Sequence, residues 1–70
     1  MTVNGAAVRA LREAQNLGLR GLETKTGLTR GYLSRLERGE VRRPAPEKIR
    51  RIAEALRVPT AAIDPPEETQ

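Results

Sequence analysis

Cysteine, histidine and tryptophan are absent from these 70 residues, and Tyr32 is the only aromatic side chain. Without thiols or imidazoles the chain can form neither a disulfide nor a Cys/His zinc site, so its stability must come from apolar packing. The length is near the lower limit at which a single core stabilises itself, and one domain is expected. The lack of thiols suits a reducing compartment, which makes the cytosol the expected location. No apolar run exceeds three residues, too short for a membrane-spanning helix. Met1 to Ala14 lacks the continuous apolar centre of a signal peptide. Nucleophile and base would have to come from Ser34, the threonines, the lysines or scattered carboxylates, and none of these form a spaced set. No glycine-rich phosphate loop is present. The sequence therefore reads as a non-enzyme without metal or cofactor.

Charge is plentiful but uneven. All 13 Lys and Arg residues precede Pro59, whereas Asp64, Glu67 and Glu68 fall in the last seven positions. Residues 1–63 carry six acidic residues against those 13 basic ones, a net +7. A surface of that sign on so small a body attracts polyanions, nucleic acid foremost among them.

Apolar spacing predicts helices and no strands. Asn4 suits the N-cap of a first helix that places Val8, Leu11 and Ala14 on one face and ends near Asn16. Leu19, Leu22 and Thr26 mark a short second helix stopped by Gly27, a residue that readily takes the left-handed conformation. Thr29 suits the N-cap of a third helix with Leu33 and Leu36 inward, closed in the same way by Gly39. Glu40 to Ala45, with Arg42 and Arg43 ahead of Pro44, reads as an extended basic loop. Pro46 opens a fourth helix whose inward stripe is Ile49, Ile52, Ala53 and Leu56, with Lys48, Arg50, Arg51 and Arg57 off it. Val58 and Pro59 are expected to end that helix, and Thr60 to cap one last turn containing Ile63. Residues 64–70 form an acidic tail with nothing to bury, expected to be flexible. The expected fold is an all-α, compact bundle of four to five short helices over residues 1–63.

The most informative stretch is LRGLETKTGLTRGYLSRLERG, from Leu19 to Gly39: two short helical patterns meeting at Gly27, with basic side chains along the second. Helices joined by so short a turn cross steeply, which leaves the second free to stand proud of the body. Leu22, Leu28, Leu33 and Leu36 then hold the pair from inside. Thr29, Arg30, Gly31, Ser34 and Arg35 remain on the outer, N-terminal part of the third helix, the part that reaches base edges when such a helix enters the major groove.

Taken in order, VRALREA, GLTRGYLSRLERG, RRP and IRRIAEALRVP make the chain similar to the helix-turn-helix domain of the phage repressor and Cro family, also called the XRE family, across roughly residues 6–63. That resemblance implies a positioning helix over Leu19 to Thr26 and a recognition helix over Arg30 to Arg38. It places Arg30, Gly31, Ser34 and Arg35 at base-facing positions, where the planar fork of arginine matches the O6 and N7 acceptors of guanine. Thr29, Tyr32, Arg38, Arg42 and Arg43 match positions that touch the sugar-phosphate backbone, contacts that fix register without reading sequence. Arg12 and Glu37 match a structural pair tying the first helix to the third. Tyr32 also suits a role as cover for the edge of the core.

Departures from the family pattern cluster in the helix-turn-helix, three at the second helix and one at the third. Glu23 stands where a small residue such as alanine is usual, so either its side chain bends outward or the helix crossing is altered. Gly18 replaces the usual Ser or Thr cap of the second helix. Gly21 and Gly31 are helix-interior glycines costing up to about 1 kcal/mol each against alanine. Gly31 also removes a side chain from a base-facing position, which leaves direct readout to Arg30, Ser34 and Arg35 and points to modest specificity or a reliance on DNA shape.

The function implied is a sequence-specific DNA-binding transcriptional regulator, a repressor that occupies an operator as a homodimer on half-sites about 34 Å apart. The expected dimer surface lies around Val58 to Ile63. The alternative is a protein-interaction module of the same fold, an antitoxin or a polymerase-binding adaptor, whose basic face meets a toxin or RNA polymerase.

Overall fold

The computed structural model of the chain describes residues 3–41 and 43–64. Four α-helices follow one another: α1 (Gly5–Ala14), α2 (Leu19–Thr26), α3 (Arg30–Glu37) and α4 (Pro46–Leu56). A single 3-10 turn, Thr60–Ala62, closes the order, and no strand occurs among the described residues. The all-α bundle expected from the spacing is the fold observed. The basic loop at Arg42 falls partly outside the described residues, as does the acidic tail from residue 65 onward.

Helix starts are set by local chemistry. The Asn4 side chain accepts from the Ala7 N–H at 3.0 Å, and the Thr29 hydroxyl accepts from the Tyr32 N–H at 3.2 Å. Each satisfies one of the unpaired donors of a first turn. Pro46 begins α4, where its missing N–H leaves no gap. Gly18 precedes α2 in an extended conformation and contributes no side-chain cap.

Helix ends use left-handed residues. Gly27 (φ 77°) donates its N–H to the Glu23 carbonyl at 2.8 Å, a single-bond termination of α2. After α3, Gly39 (φ 82°) donates to Leu36 and Glu40 donates to Arg35, the double-bonded ending that a left-handed residue permits. The same double bond recurs without glycine after α1, at Asn16 (φ 55°), and after α4, at Arg57 (φ 60°). Two expected boundaries therefore shift. α1 stops at Ala14, two residues before Asn16, and α4 stops at Leu56, with Arg57 rather than Val58 and Pro59 turning the chain. Pro59 precedes the last turn and Thr60 is its first residue rather than its cap.

The core comprises Val3, Val8, Leu22, Leu28, Leu33, Leu36, Ile49, Ile52, Ala53, Leu56 and Ile63. Leu22, Leu28, Leu33, Leu36 and the whole expected stripe of α4 are among them, whereas Leu19 of the α2 pattern is only partly buried. Ala14, expected on the inward face of α1, is exposed instead, and Leu11 is half-buried. Steps of three residues drift about 60° each around a helix, so Ala14 sits about 120° from Val8 and off the buried stripe. Thr26 is buried between α2 and the turn, donating its hydroxyl to the Leu22 carbonyl at 2.7 Å and accepting the Leu28 N–H at 3.1 Å. That pairing makes a polar side chain tolerable there.

At Gly5 the backbone of α1 runs close against the end of α3. A Cβ there would collide with the Leu36 carbonyl oxygen and lie 2.9 Å from that of Glu37. The two ends of the body are tied together where the Asn4 N–H donates to the Ile63 carbonyl at 2.6 Å.

Candidate functional site

α2 and α3 pack against each other, and α4 and α1 support them from behind. Leu33 and Leu36 are fully buried beneath α3. Positions 30, 31, 34 and 35 span about 140° of helix arc on the opposite side. Arg30, Gly31 and Arg35 are exposed there and Ser34 is half-buried. The structure thus gathers these four residues on one outward face. Thr29, at the N-terminal edge of that face, is exposed as well.

Nothing lies within 4 Å of the position a Gly31 Cβ would take, and the same holds at Gly18. An open hollow runs between the N-termini of α2 and α3, bordered by Leu19, Arg20, Glu23, Arg30 and Ser34. Glycine at 31 therefore widens a concavity rather than relieving a crowded contact. Gly21 differs: a Cβ there would come within 2.7 Å of Leu17 Cδ1, the flexible end of a side chain.

Glu23 resolves into the first of the two outcomes its position allowed. Its carboxylate bends outward, with Oε2 accepting the Arg30 backbone N–H at 3.3 Å and Oε1 lying 3.6 Å from Arg30 Nε. The acid thereby caps α3 across the turn. Sequence spacing does not show this, because seven positions separate the two residues and no single helix relates them.

The remaining positions divide between pairs and free charges. Arg38 pairs with Glu40 at 3.2 Å, and Arg43 is exposed. Arg35 forms no ion pair among the described residues. Arg42 lies outside the described residues. Tyr32 is half-buried against the core, with the Lys48 ammonium 4.7 Å from its ring centroid. Burial pushes the Tyr32 phenol up from its ordinary range, and the nearby Arg35 charge partly offsets that. Lys48 over an aromatic face is a contact between α3 and α4 that the spacing of neither helix reveals.

Arg12 and Glu37 meet between α1 and α3. Arg12 Nε donates to Glu37 Oε2 at 2.7 Å and Nη2 to Oε1 at 3.0 Å, a bidentate pair whose side chains are only 12% and 6% exposed. Arg12 Nη1 also donates to the Leu17 carbonyl at 2.9 Å, which secures the connection into α2. The hydrogen bonding to Glu37 raises the Arg12 pKa, so the guanidinium stays charged.

Two helices at a glycine turn, a leucine interior and an outward basic face on the second helix define a helix-turn-helix protein. A helix-turn-helix family profile matches residues 8–63. The chain belongs to the phage repressor and Cro type of that family, whose members are DNA-binding transcription regulators and not enzymes. It is 40% identical over 55 residues to the HTH-type transcriptional repressor RghR of Bacillus subtilis, an overlap of 79% of this chain and 41% of RghR. It is 39% identical over 54 residues to an uncharacterized HTH-type transcriptional regulator of Mycobacterium tuberculosis, covering 77% of this chain and 38% of that one. The chain thus spans about two fifths of the length of these relatives. Among solved structures it is similar to the restriction-modification controller protein C.AhdI from Aeromonas hydrophila, with a TM-score of 0.77, 33% identity and coverage of 83% of this chain and 86% of that one. The clp gene regulator ClgR from Corynebacterium glutamicum superposes with a TM-score of 0.74 at 35% identity, over 81% of this chain and 73% of ClgR.

Proposed function

We propose that this chain is a sequence-specific transcriptional repressor that inserts α3 into the major groove of an operator and excludes polymerase from an overlapping promoter in the cytosol. The observation that carries this reading is the segregation of α3, with Leu33 and Leu36 buried and Arg30, Gly31, Ser34 and Arg35 turned outward on one arc. Arg30 and Arg35 present planar forks suited to guanine, Ser34 adds a hydroxyl, and Gly31 keeps the helix surface low enough for base edges to approach. Thr29, Tyr32, Arg38, Arg42 and Arg43 hold the sugar-phosphate backbone. A relative named as a transcriptional repressor supports the direction of regulation.

One recognition helix spans only a few base pairs, so the functional unit on DNA is a homodimer on half-sites about 34 Å apart. The surface around Val58 to Ile63, where the 3-10 turn packs on α4 and Ala61 and Ala62 stay exposed, serves that contact.

The test begins with selection of bound duplexes from a random pool, followed by Arg30→Ala and Arg35→Ala variants whose folding is verified by thermal melting. Each substitution lowers affinity for the selected duplex and relaxes its preference at one base pair, by about tenfold or more. Unchanged DNA binding, together with loss of a co-purifying protein, overturns this reading in favour of a protein-interaction module.

A further inference from the structure

Glu23 meets one residue at two points: it accepts a hydrogen bond from the backbone N–H of Arg30, and its other oxygen forms a looser ion pair, 3.6 Å long, with the inner nitrogen of the guanidinium. The outer nitrogens, Nη1 and Nη2, remain as the prongs of the fork. Beside them the Gly31 position is open, so no neighbouring side chain orients Arg30 from that direction. The two side chains are 56% and 38% exposed, and an ion pair that accessible contributes little to folding. A carboxylate on a face that meets a polyanion also opposes binding by repulsion. Capping of α3 accounts for one carboxylate oxygen; the approach of the other to the Arg30 guanidinium is explained by neither stability nor affinity, and selectivity is what remains.

We infer, on the reading that α3 enters DNA, that Glu23 is a positioning residue that sets the base selectivity of Arg30. An arginine stem has several rotatable bonds, and its fork discriminates among bases only when the guanidinium plane is fixed. The carboxylate beside Nε, 3.6 Å away, biases the guanidinium toward one orientation before DNA arrives and leaves the end-on prongs for the O6 and N7 acceptors of a single guanine. Without Glu23 the same charge swings freely and settles on whichever acceptor or phosphate lies nearest. Binding then becomes less selective and, with one negative charge removed, stronger on unrelated DNA.

The experiment uses the 70-residue chain and its selected duplex, together with every single-base-pair substitution of that duplex. Affinities are measured for the unmodified protein, Glu23→Gln, Arg30→Ala and the double variant, with thermal melts alongside. Arg30→Ala flattens the preference at one base pair. Glu23→Gln, which preserves size, lowers the preference at that same base pair by about tenfold, strengthens binding to an unrelated duplex, and changes no base preference further in the Arg30→Ala background. A uniform loss across all duplexes with a lowered melting temperature overturns the inference, since that is what a merely structural role produces. Preference lost in Arg30→Ala but intact in Glu23→Gln removes the role of Glu23 alone. If Arg30→Ala also leaves every preference intact, the assignment of α3 to DNA fails with it. Should Glu23→Gln not fold, Glu23→Asp, too short to span both contacts, carries the same expected loss of preference.

Discussion

At Gly5 the backbones of α1 and α3 leave no room for a methyl group, while at Gly31 a methyl group meets nothing. The two glycines should respond in opposite directions to the same substitution. Gly5→Ala forces α3 away from α1 and destabilises the fold by about 1–3 kcal/mol, the usual range for overpacking. Gly31→Ala raises stability by up to about 1 kcal/mol through helix propensity. Denaturant melts of the two variants decide the matter, and a Gly5→Ala protein as stable as the parent contradicts the close approach.

Tyr32 offers a second measurement. Burial favours its neutral phenol in the folded protein, so the folded pKa lies above the ordinary value of about 10. Its contribution to stability is complete below about pH 10 and disappears as pH rises through the higher folded value. With one tyrosine and no tryptophan in the chain, the tyrosinate absorbance reports this group alone. Its midpoint should fall toward the ordinary value when urea unfolds the protein. Tyr32→Phe should abolish the signal.

α1 and α3 are held together by the bidentate contact of Arg12 with Glu37, nearly closed to solvent. Replacing either partner by alanine strands a charge in a poorly solvated site and costs about 3 kcal/mol, whereas an apolar pair in both positions is close to neutral. A double-mutant cycle in thermal or chemical denaturation measures the coupling. Two additive single variants would show the pair to be independent surface charges.

Most of this helical framework is legible in the chain because its signals are local. Asn4, Thr29 and Pro46 start helices by means of their own side chains, and Gly27 and Gly39 end them through the freedom of their own backbones. The endings at Asn16 and Arg57 are less visible. Both are non-glycine residues in the left-handed region, where the strain is offset by packing and hydrogen bonds supplied from elsewhere, such as the Gln15 side-chain amide donating to the Leu56 carbonyl at 2.7 Å. The burial of Val3 and Ile63 is equally tertiary in origin. At the candidate site the outward arc of α3 follows from its 3.6-residue period, but the cap from Glu23 to Arg30 and the Lys48 contact with Tyr32 do not. Each joins two helices whose relative placement is set only once the core has formed.

The assembled molecule is a compact cation with an outward basic face on one helix. If about five phosphates are neutralised per subunit, log affinity falls against log salt with a slope of about −4 to −5 per subunit. A titration from low to moderate salt on the selected duplex measures it. A slope near zero would remove phosphate contact from the mechanism. Alanine at Arg43 should make the slope shallower by about one per subunit while leaving base preference intact, in contrast to Arg30.

The hydrogen bond from Asn4 to Ile63 gives this body the topology of a nearly closed ring. Anything joined to the front of the domain and anything joined to the back leave it from one common point. A second module fused at either side would therefore share a single anchorage, and a short peptide joining residues 3 and 64 would close the circle while keeping every helix in its present place.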